Sequence, residues 1–128
     1  ENLIDVIVSD HIPEDEESKR LPFSQAATGA IGIETLLPLA LEMHHNESLP
    51  LNKIIETLTI NPAKILQINK GTLAKGSDGD ICVLDLDAPW VVDAEKLKSK
   101  SKNTAIEGRK LQGKVLMTFL NGELVYSN

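Results

Sequence analysis

An apolar run at residues 3–8, ended abruptly by Ser9 and Asp10, is the feature that most constrains the fold. The run is rich in Ile, Val and Leu and is interrupted only by Asp5. This composition is typical of a strand buried on both faces, as in a parallel sheet. In a parallel α/β barrel, the side chains that follow such strands line the active site. Asp10 is therefore a candidate metal ligand or proton carrier, and the alternative is that it caps a turn.

Two motifs after this run resemble those of a known enzyme family. Residues 9–13 read Ser-Asp-His-Ile-Pro, and residues 29–35 read Gly-Ala-Ile-Gly-Ile-Glu-Thr. They resemble the dihydroorotases, cyclic amidohydrolases of the amidohydrolase superfamily. In that family the last catalytic strand ends in Asp-His-Ala-Pro-His, and a Gly-x-x-Gly-x-Glu-Thr turn leads into a helix. Asn-Pro-Ala at residues 61–63 and Gly-x-Leu-x-x-Gly at residues 71–76 are similar to the carboxyl-terminal signature of many amidohydrolases.

The resemblance implies an α/β fold that corresponds to the last third of such an enzyme. Residues 1–69 would contain the last strand of a (β/α)8 metal-dependent hydrolase barrel and its closing helices. Residues 70–128 would form part of a small β-sandwich. The implied reaction of the parent enzyme is the reversible cyclisation of carbamoyl aspartate to dihydroorotate in pyrimidine biosynthesis, with zinc as the cofactor.

The same resemblance suggests roles for individual residues. Asp10 would be catalytic and would bind zinc, and His11 is interpreted as an orienting histidine. Ala27, Thr28 and Gly29 stand where the family has a Pro-Phe-Gly loop that meets the substrate. The other metal ligands of the family precede this segment, and zinc normally takes three or four protein ligands. We therefore expect these residues alone to lack a complete zinc pair and to be inactive.

Glu14 leaves two other interpretations open. It stands where the family has a His that binds the substrate carboxylate, and an anion there would repel an anionic substrate. The parent could instead be a non-catalytic dihydroorotase homologue that serves as a structural partner of aspartate transcarbamoylase. It could also be an enzyme that acts on another cyclic amide, as allantoinase and dihydropyrimidinase do. Asp10 favours an enzyme, whereas Glu14, Ala27 and Thr28 favour the partner role.

Local patterns predict the secondary structure. Helices are expected at residues 35–43, 51–59 and 61–66, with Asn61 as the N-cap of the third. Residues 13–20 are predicted to be a charged loop and residues 88–92 a loop with a short extended piece. Strands are expected at residues 3–8 and 81–86 and in a hairpin at residues 115–126 around Asn121 and Gly122.

Length and composition restrict the function classes. At 128 residues the chain is the size of one domain, whereas a complete barrel needs about 250 residues. A net charge of −6 disfavours nucleic acid as a partner. Cys82 is the only cysteine, which excludes an internal disulfide and fits a reducing cytoplasm. No apolar run is long enough to span a membrane. The sequence begins without Met, so a fragment is expected, and its unpaired apolar strand edges predict a homo-oligomer.

Overall fold

The computed structural model describes residues 3–128, in which four helices precede three strands. The helices α1 to α4 span Glu16–Lys19, Leu36–His45, Leu51–Leu58 and Ile60–Ile65. The strands β1 to β3 span Ile81–Val91, Lys110–Leu120 and Glu123–Ser127, and a short 3-10 helix at Ala94–Lys96 lies between the first two. Within residues 3–128, no helix is long and apolar enough to cross a membrane.

Helix α2 packs closely against strand β2 at Gly113. Leu41 of α2 is fully buried. A Cβ atom at Gly113 would lie 2.5 Å from Leu41 Cδ1, and the φ of Gly113 is +106°. Any larger residue would therefore clash with the buried Leu41 side chain and would also be strained. Glycine at this position lets the α2 side chain rest on the strand backbone.

The three strands form one antiparallel sheet in the order β1-β2-β3. The turn between β2 and β3 consists of Asn121 and Gly122, whose φ angles are 50° and 81°. Positive φ at both central residues is typical of the two-residue hairpin turn that Asn-Gly favours. The predicted hairpin is confirmed. The barrel and the second sheet of the sandwich remain predictions.

The main apolar core lies where the turn before α2 meets the end of β1 and the start of β2. Its buried members are Ile31, Val92, Leu97 and Leu111, and partly buried Leu39, Trp90 and Ile106 pack against them. The Trp90 indole N–H also donates a hydrogen bond to the carbonyl of Gly113 at 3.1 Å. This core fixes the turn at residues 29–35 against the sheet.

The prediction of a strand at residues 3–8 is wrong for the described part of the chain. These residues have no strand assignment, and Leu3 and Val8 are 82% and 70% exposed. The Ile7 N–H donates to the Thr57 carbonyl at 3.2 Å, and a single parallel bridge joins His11 to Ala30. A central strand of a parallel sheet needs hydrogen-bonded neighbours on both sides. Within residues 3–128 the bridge lies at His11, beyond the run, and Thr57 belongs to a helix, so residues 3–8 have no strand neighbour there.

Three local predictions also need correction. Asn61 is not an N-cap, because α4 begins at Ile60 and the Asn61 side chain donates to the Asp5 carbonyl at 2.9 Å. Residues 88–91 belong to β1 and are not a loop. Pro89 is tolerated there because β1 is an edge strand and its register shifts between Asp85 and Pro89. The charged loop contains the short helix α1.

Candidate functional site

Asp10 lies at the sharp turn that ends the extended segment. It is exposed, and its φ of 44° is in the left-handed region. Asp is among the few residues other than glycine that adopt this conformation with modest strain. The chain changes direction at Asp10, so that His11 and Ile12 run beside residues 29–32, here called the 29–32 turn. The carboxylate of Asp10 is left open to solvent.

His11 fastens this segment to the 29–32 turn. Its Nδ1 atom accepts hydrogen bonds from the backbone N–H groups of Gly32 at 3.0 Å and Ile33 at 3.4 Å. A backbone N–H can only donate, so Nδ1 is the acceptor in both bonds. The Ile12 N–H donates to the Ala30 carbonyl at 2.9 Å. These contacts agree with the interpretation of His11 as an orienting residue.

Two glycines allow the turn to pack directly on the Asp10 segment. A Cβ atom at Gly29 would lie 2.6 Å from Ile12 Cγ2, and the φ of Gly29 is +111°. A Cβ atom at Gly32 would lie 2.6 Å from the carbonyl oxygen of Ser9. Both distances are too short for a side chain. Of the substrate-loop residues predicted from the sequence, Gly29 therefore has a clear packing reason to be glycine.

Lys19 and Asn103 join the predicted substrate residues to one another. The Lys19 ammonium group donates to the carbonyls of Ala27 at 2.7 Å and Gly29 at 2.9 Å. The Asn103 side chain accepts from the Glu14 N–H at 3.4 Å and donates to the Gly29 carbonyl at 3.3 Å. The structure thus brings Glu14, Ala27 and Gly29 into one hydrogen-bonded cluster.

The remaining predicted residue and two further anchors complete this region. Thr28 is exposed between Ala27 and Gly29. Ser101 Oγ lies within hydrogen-bond reach of the Glu14 carbonyl and of Asn103 Oδ1, and can donate its one proton to either. The Glu34 carboxylate accepts from the N–H groups of Lys98 at 3.0 Å and Ser99 at 3.2 Å. The loop that carries Ser101 and Asn103 is therefore tied both to the 29–35 turn and to Glu14.

Sequence reasoning missed Lys19 and Ser101. Lys19 follows a run of four acidic residues, and that charge pattern is typical of solvated surface. Its role depends on carbonyls eight and ten residues away along the chain. The Lys19-Arg20 pair before an apolar Leu-Pro-Phe segment is the one signal that could have suggested an inward-facing lysine. For Ser101, in a run of alternating Ser and Lys, no comparable signal exists.

The described residues do not form a metal centre by themselves. Among residues 3–128, no three His, Cys, Asp or Glu side chains are grouped so that they could hold an ion. Asp10 is one oxygen ligand, whereas a zinc site normally needs three or four protein ligands. The donor set in this part of the chain therefore does not fit a complete zinc pair, and no chemical step can be derived through one.

Comparison with known proteins gives a consistent result over nearly the whole chain. The sequence profile of the amidohydrolase family matches residues 1–125. A dihydroorotase from Ehrlichia chaffeensis is 45% identical over 124 residues, which are 97% of this chain and 28% of that protein. The chain thus spans little more than a quarter of the length of this relative.

Two solved structures share the fold. A dihydropyrimidinase from Brevibacillus agri NCHU1002 superposes with a TM-score of 0.91 at 25% identity, over 97% of this chain and 28% of that one. An L-hydantoinase (dihydropyrimidinase) from Arthrobacter aurescens superposes with a TM-score of 0.75 at 36% identity, over 81% of this chain and 24% of that one. The arrangement of helices and sheet described above therefore recurs within larger proteins.

Proposed function

Because the chain belongs to the amidohydrolase family, we propose that it is part of a dihydroorotase-like enzyme that opens and closes a cyclic amide. The observation that carries the proposal is the docking of the 29–32 turn onto Ser9 and His11, the two neighbours of Asp10. That docking sets an exposed carboxylate beside a turn predicted to meet the substrate. The similarity to a protein named dihydroorotase supports carbamoyl aspartate and dihydroorotate as the reactants.

Asp10 would carry the proton in this reaction. Hydrolysis of an amide needs a proton removed from the attacking water and a proton given to the leaving nitrogen. The exposed Asp10 carboxylate can accept the first proton and then donate it to the nitrogen, which returns the carboxylate to its starting state. We also propose Asp10 as one ligand of a metal, zinc by analogy with the family, whose other ligands would come from residues outside this chain.

Glu14, Ala27, Thr28 and Gly29 would face the substrate. The carbonyls of Ala27 and Gly29 accept from Lys19, and the Ala27 N–H donates to the Ser18 carbonyl at 3.0 Å. The N–H groups of Thr28 and Gly29 are therefore the ones we expect to meet a substrate oxygen. The Lys19 ammonium group adds a positive charge beside the turn. That charge would offset the negative charge of Glu14 toward an anionic substrate, because opposite charges at short range attract.

A second candidate is an enzyme for an uncharged cyclic amide or ureide. Glu14 favours it, since such a substrate has no carboxylate to be repelled. The likeness to the Arthrobacter aurescens L-hydantoinase favours it as well. Glu14 also favours the non-catalytic alternative, a structural partner of aspartate transcarbamoylase, because it would repel an anionic substrate. A homo-oligomer in the cytoplasm is part of the main proposal. The exposed free thiol of Cys82 supports the compartment, because it suits a reducing environment. The exposed side chains of Leu3, Ile4 and Val8 support association.

Activity of the zinc-loaded full-length protein tests these candidates directly. We expect dihydroorotate hydrolysis by the wild type and a fall in kcat of about 10²–10⁴-fold in Asp10→Asn, which removes the proton carrier at constant size. Asp15→Asn is the control, because Asp15 is exposed and caps α1 through the Ser18 N–H. Hydantoin and dihydrouracil turnover without dihydroorotate turnover would select the second candidate.

Substitution of Glu14 separates the enzyme from the structural partner. Glu14→His removes an anion and adds a donor, so it should lower KM for dihydroorotate and leave KM for an uncharged hydantoin unchanged. Glu16→His is the matched control, since Glu16 lies on α1 and is exposed. A wild type with no turnover of any cyclic amide, and no rescue by Glu14→His, would favour the structural-partner role.

A further inference from the structure

We propose that Asn103 is a positioning residue that sets the separation between the Glu14 segment and the Gly29 turn, an inference that rests on the proposed function. Its side chain spans the two segments, with Oδ1 accepting from the Glu14 N–H at 3.4 Å and Nδ2 donating to the Gly29 carbonyl at 3.3 Å. Its own carbonyl accepts from the Ile31 N–H at 3.2 Å. One residue is thus bonded to both predicted substrate-binding elements.

The chemistry of the amide explains why asparagine stands here. Bridging an N–H on one segment and a carbonyl on the other requires an acceptor and a donor on the same short side chain. The two partners fix the orientation of the amide, because the Glu14 N–H can only donate and the Gly29 carbonyl can only accept. Ser101 Oγ lies within hydrogen-bond reach of Asn103 Oδ1 and of the Glu14 carbonyl and can donate its one proton to either. Asn103 and Glu14 are both half-buried, so water competes only partly for these bonds.

The hydrogen bonds also predict which kinetic constant Asn103 controls. Asp10 is positioned through the left-handed turn and through the contacts of His11 and Ile12 with the 30–33 backbone. Those contacts do not involve the Asn103 side chain. Loss of that side chain should therefore move Glu14 and Gly29 relative to each other and leave the proton carrier in place. The effect should fall on substrate binding more than on the chemical step.

Two substitutions in the full-length enzyme separate the two bonds. Asn103→Leu removes both bonds at similar size, whereas Asn103→Asp keeps the acceptor for Glu14 and loses the donor to Gly29. We expect KM for the substrate that the wild type turns over to rise about tenfold in Asn103→Leu and by an intermediate factor in Asn103→Asp. The kcat value should stay within about threefold of wild type in both.

Lys102→Met is the matched control. Lys102 is the neighbouring residue and donates to the carbonyls of Leu97 at 2.9 Å and Glu95 at 3.5 Å, both outside the site segments. The Lys102→Met substitution should lower the stability of the loop without changing KM. An unchanged KM in Asn103→Leu would overturn the proposal. So would equal changes in KM, kcat and thermal midpoint in Asn103→Leu and Lys102→Met, because that result indicates a general loss of stability.

Amide hydrogen exchange keeps this test separate from the proposed function. If the wild type turns over no cyclic amide, the proposed function fails, and exchange at the Glu14 N–H then decides the positioning role. We expect faster exchange at Glu14 in Asn103→Leu and wild-type exchange in Lys102→Met. Unchanged exchange at Glu14 in Asn103→Leu would overturn the positioning role whatever the enzyme does.

Discussion

At the scale of single residues, the site is built by backbone groups that approach one another without intervening side chains. Gly29 and Gly32 let the turn lie on Ile12 and Ser9 at distances that no Cβ atom tolerates. His11 then receives two backbone N–H groups on one ring nitrogen. The close approach and the hydrogen bonds depend on each other, since a displaced turn would lose both.

Replacing Gly29 tests this dependence. Gly29→Ala should lower the thermal midpoint of the full-length protein, at a cost of about 1–3 kcal/mol for backbone strain plus the clash with Ile12. Gly76→Ala is the control, because Gly76 also has a positive φ of +89° but has open space where the Cβ would be. Gly29→Ala should lower the midpoint more than Gly76→Ala, because only the first variant adds a clash to the strain of a positive φ. Equal midpoints would mean that the Gly29 contact with Ile12 contributes nothing.

At the scale of elements, the start of β1 is joined to the hairpin turn by Asp80. Its carboxylate accepts from the Asn121 N–H at 2.9 Å and from the Lys70 ammonium at 2.5 Å. The Asn121 hydrogen bond, followed by that of Lys70, lowers the pKa of Asp80 below its ordinary value. Hydrogen bonds to Asp78 and, second, to Asp80 raise the pKa of Lys70 above its ordinary value.

The lowered pKa of Asp80 predicts an acid-sensitive hairpin. The folded state binds fewer protons at Asp80 than the unfolded state, so this contribution to stability is present above the unfolded pKa. It is lost as the pH falls through the lower folded pKa, that is, below about pH 4. Asp80→Asn should flatten the acid limb of hydrogen exchange at β2 and β3.

A control on β1, the strand that follows Asp80, accompanies the acid measurement. Asp87→Asn changes an exposed carboxylate of β1 that bonds neither Asn121 nor Lys70. It should leave the pH dependence of hairpin exchange as in the wild type. An equal flattening in both variants would assign the effect to net charge and not to the Asp80 contacts.

At the scale of the whole molecule, the extended amino-terminal segment leaves apolar surface open. Leu3, Ile4 and Val8 are 82%, 66% and 70% exposed, beside backbone groups largely without strand partners in residues 3–128. We expect the 128-residue chain on its own to self-associate, because open apolar edges pair with other chains. Light scattering should show oligomers whose mass falls in Leu3→Lys/Val8→Lys.

Phe23→Ser provides the comparison for association. Phe23 is fully exposed but lies in the 20–25 loop, apart from the extended segment. Its replacement should leave the oligomer mass unchanged if the 3–8 edge drives association. A clean monomer of the wild-type chain at high concentration would contradict the expectation.

Features that depend on neighbouring residues were predictable from the sequence, and features that depend on distant partners were not. The hairpin follows from Asn121 and Gly122, and α2 follows from its apolar spacing. The strand at residues 3–8 failed because pairing requires neighbours that a local pattern cannot supply. Motifs suggested site roles for Asp10 and Gly29, and those roles stay predictions. Lys19 acts through carbonyls that only the folded chain brings to it.

The Asn103 bridge has a consequence for the order of folding. It closes loops of 89 residues to Glu14 and 74 residues to Gly29, with the helices and β1 in between. The entropy lost in closing such loops is compensated only after the intervening elements have formed. We therefore expect the cluster of Glu14, Gly29 and Asn103 to form after the hairpin and helices. Ligand binding during refolding would then report the completion of the native state, and not its nucleation.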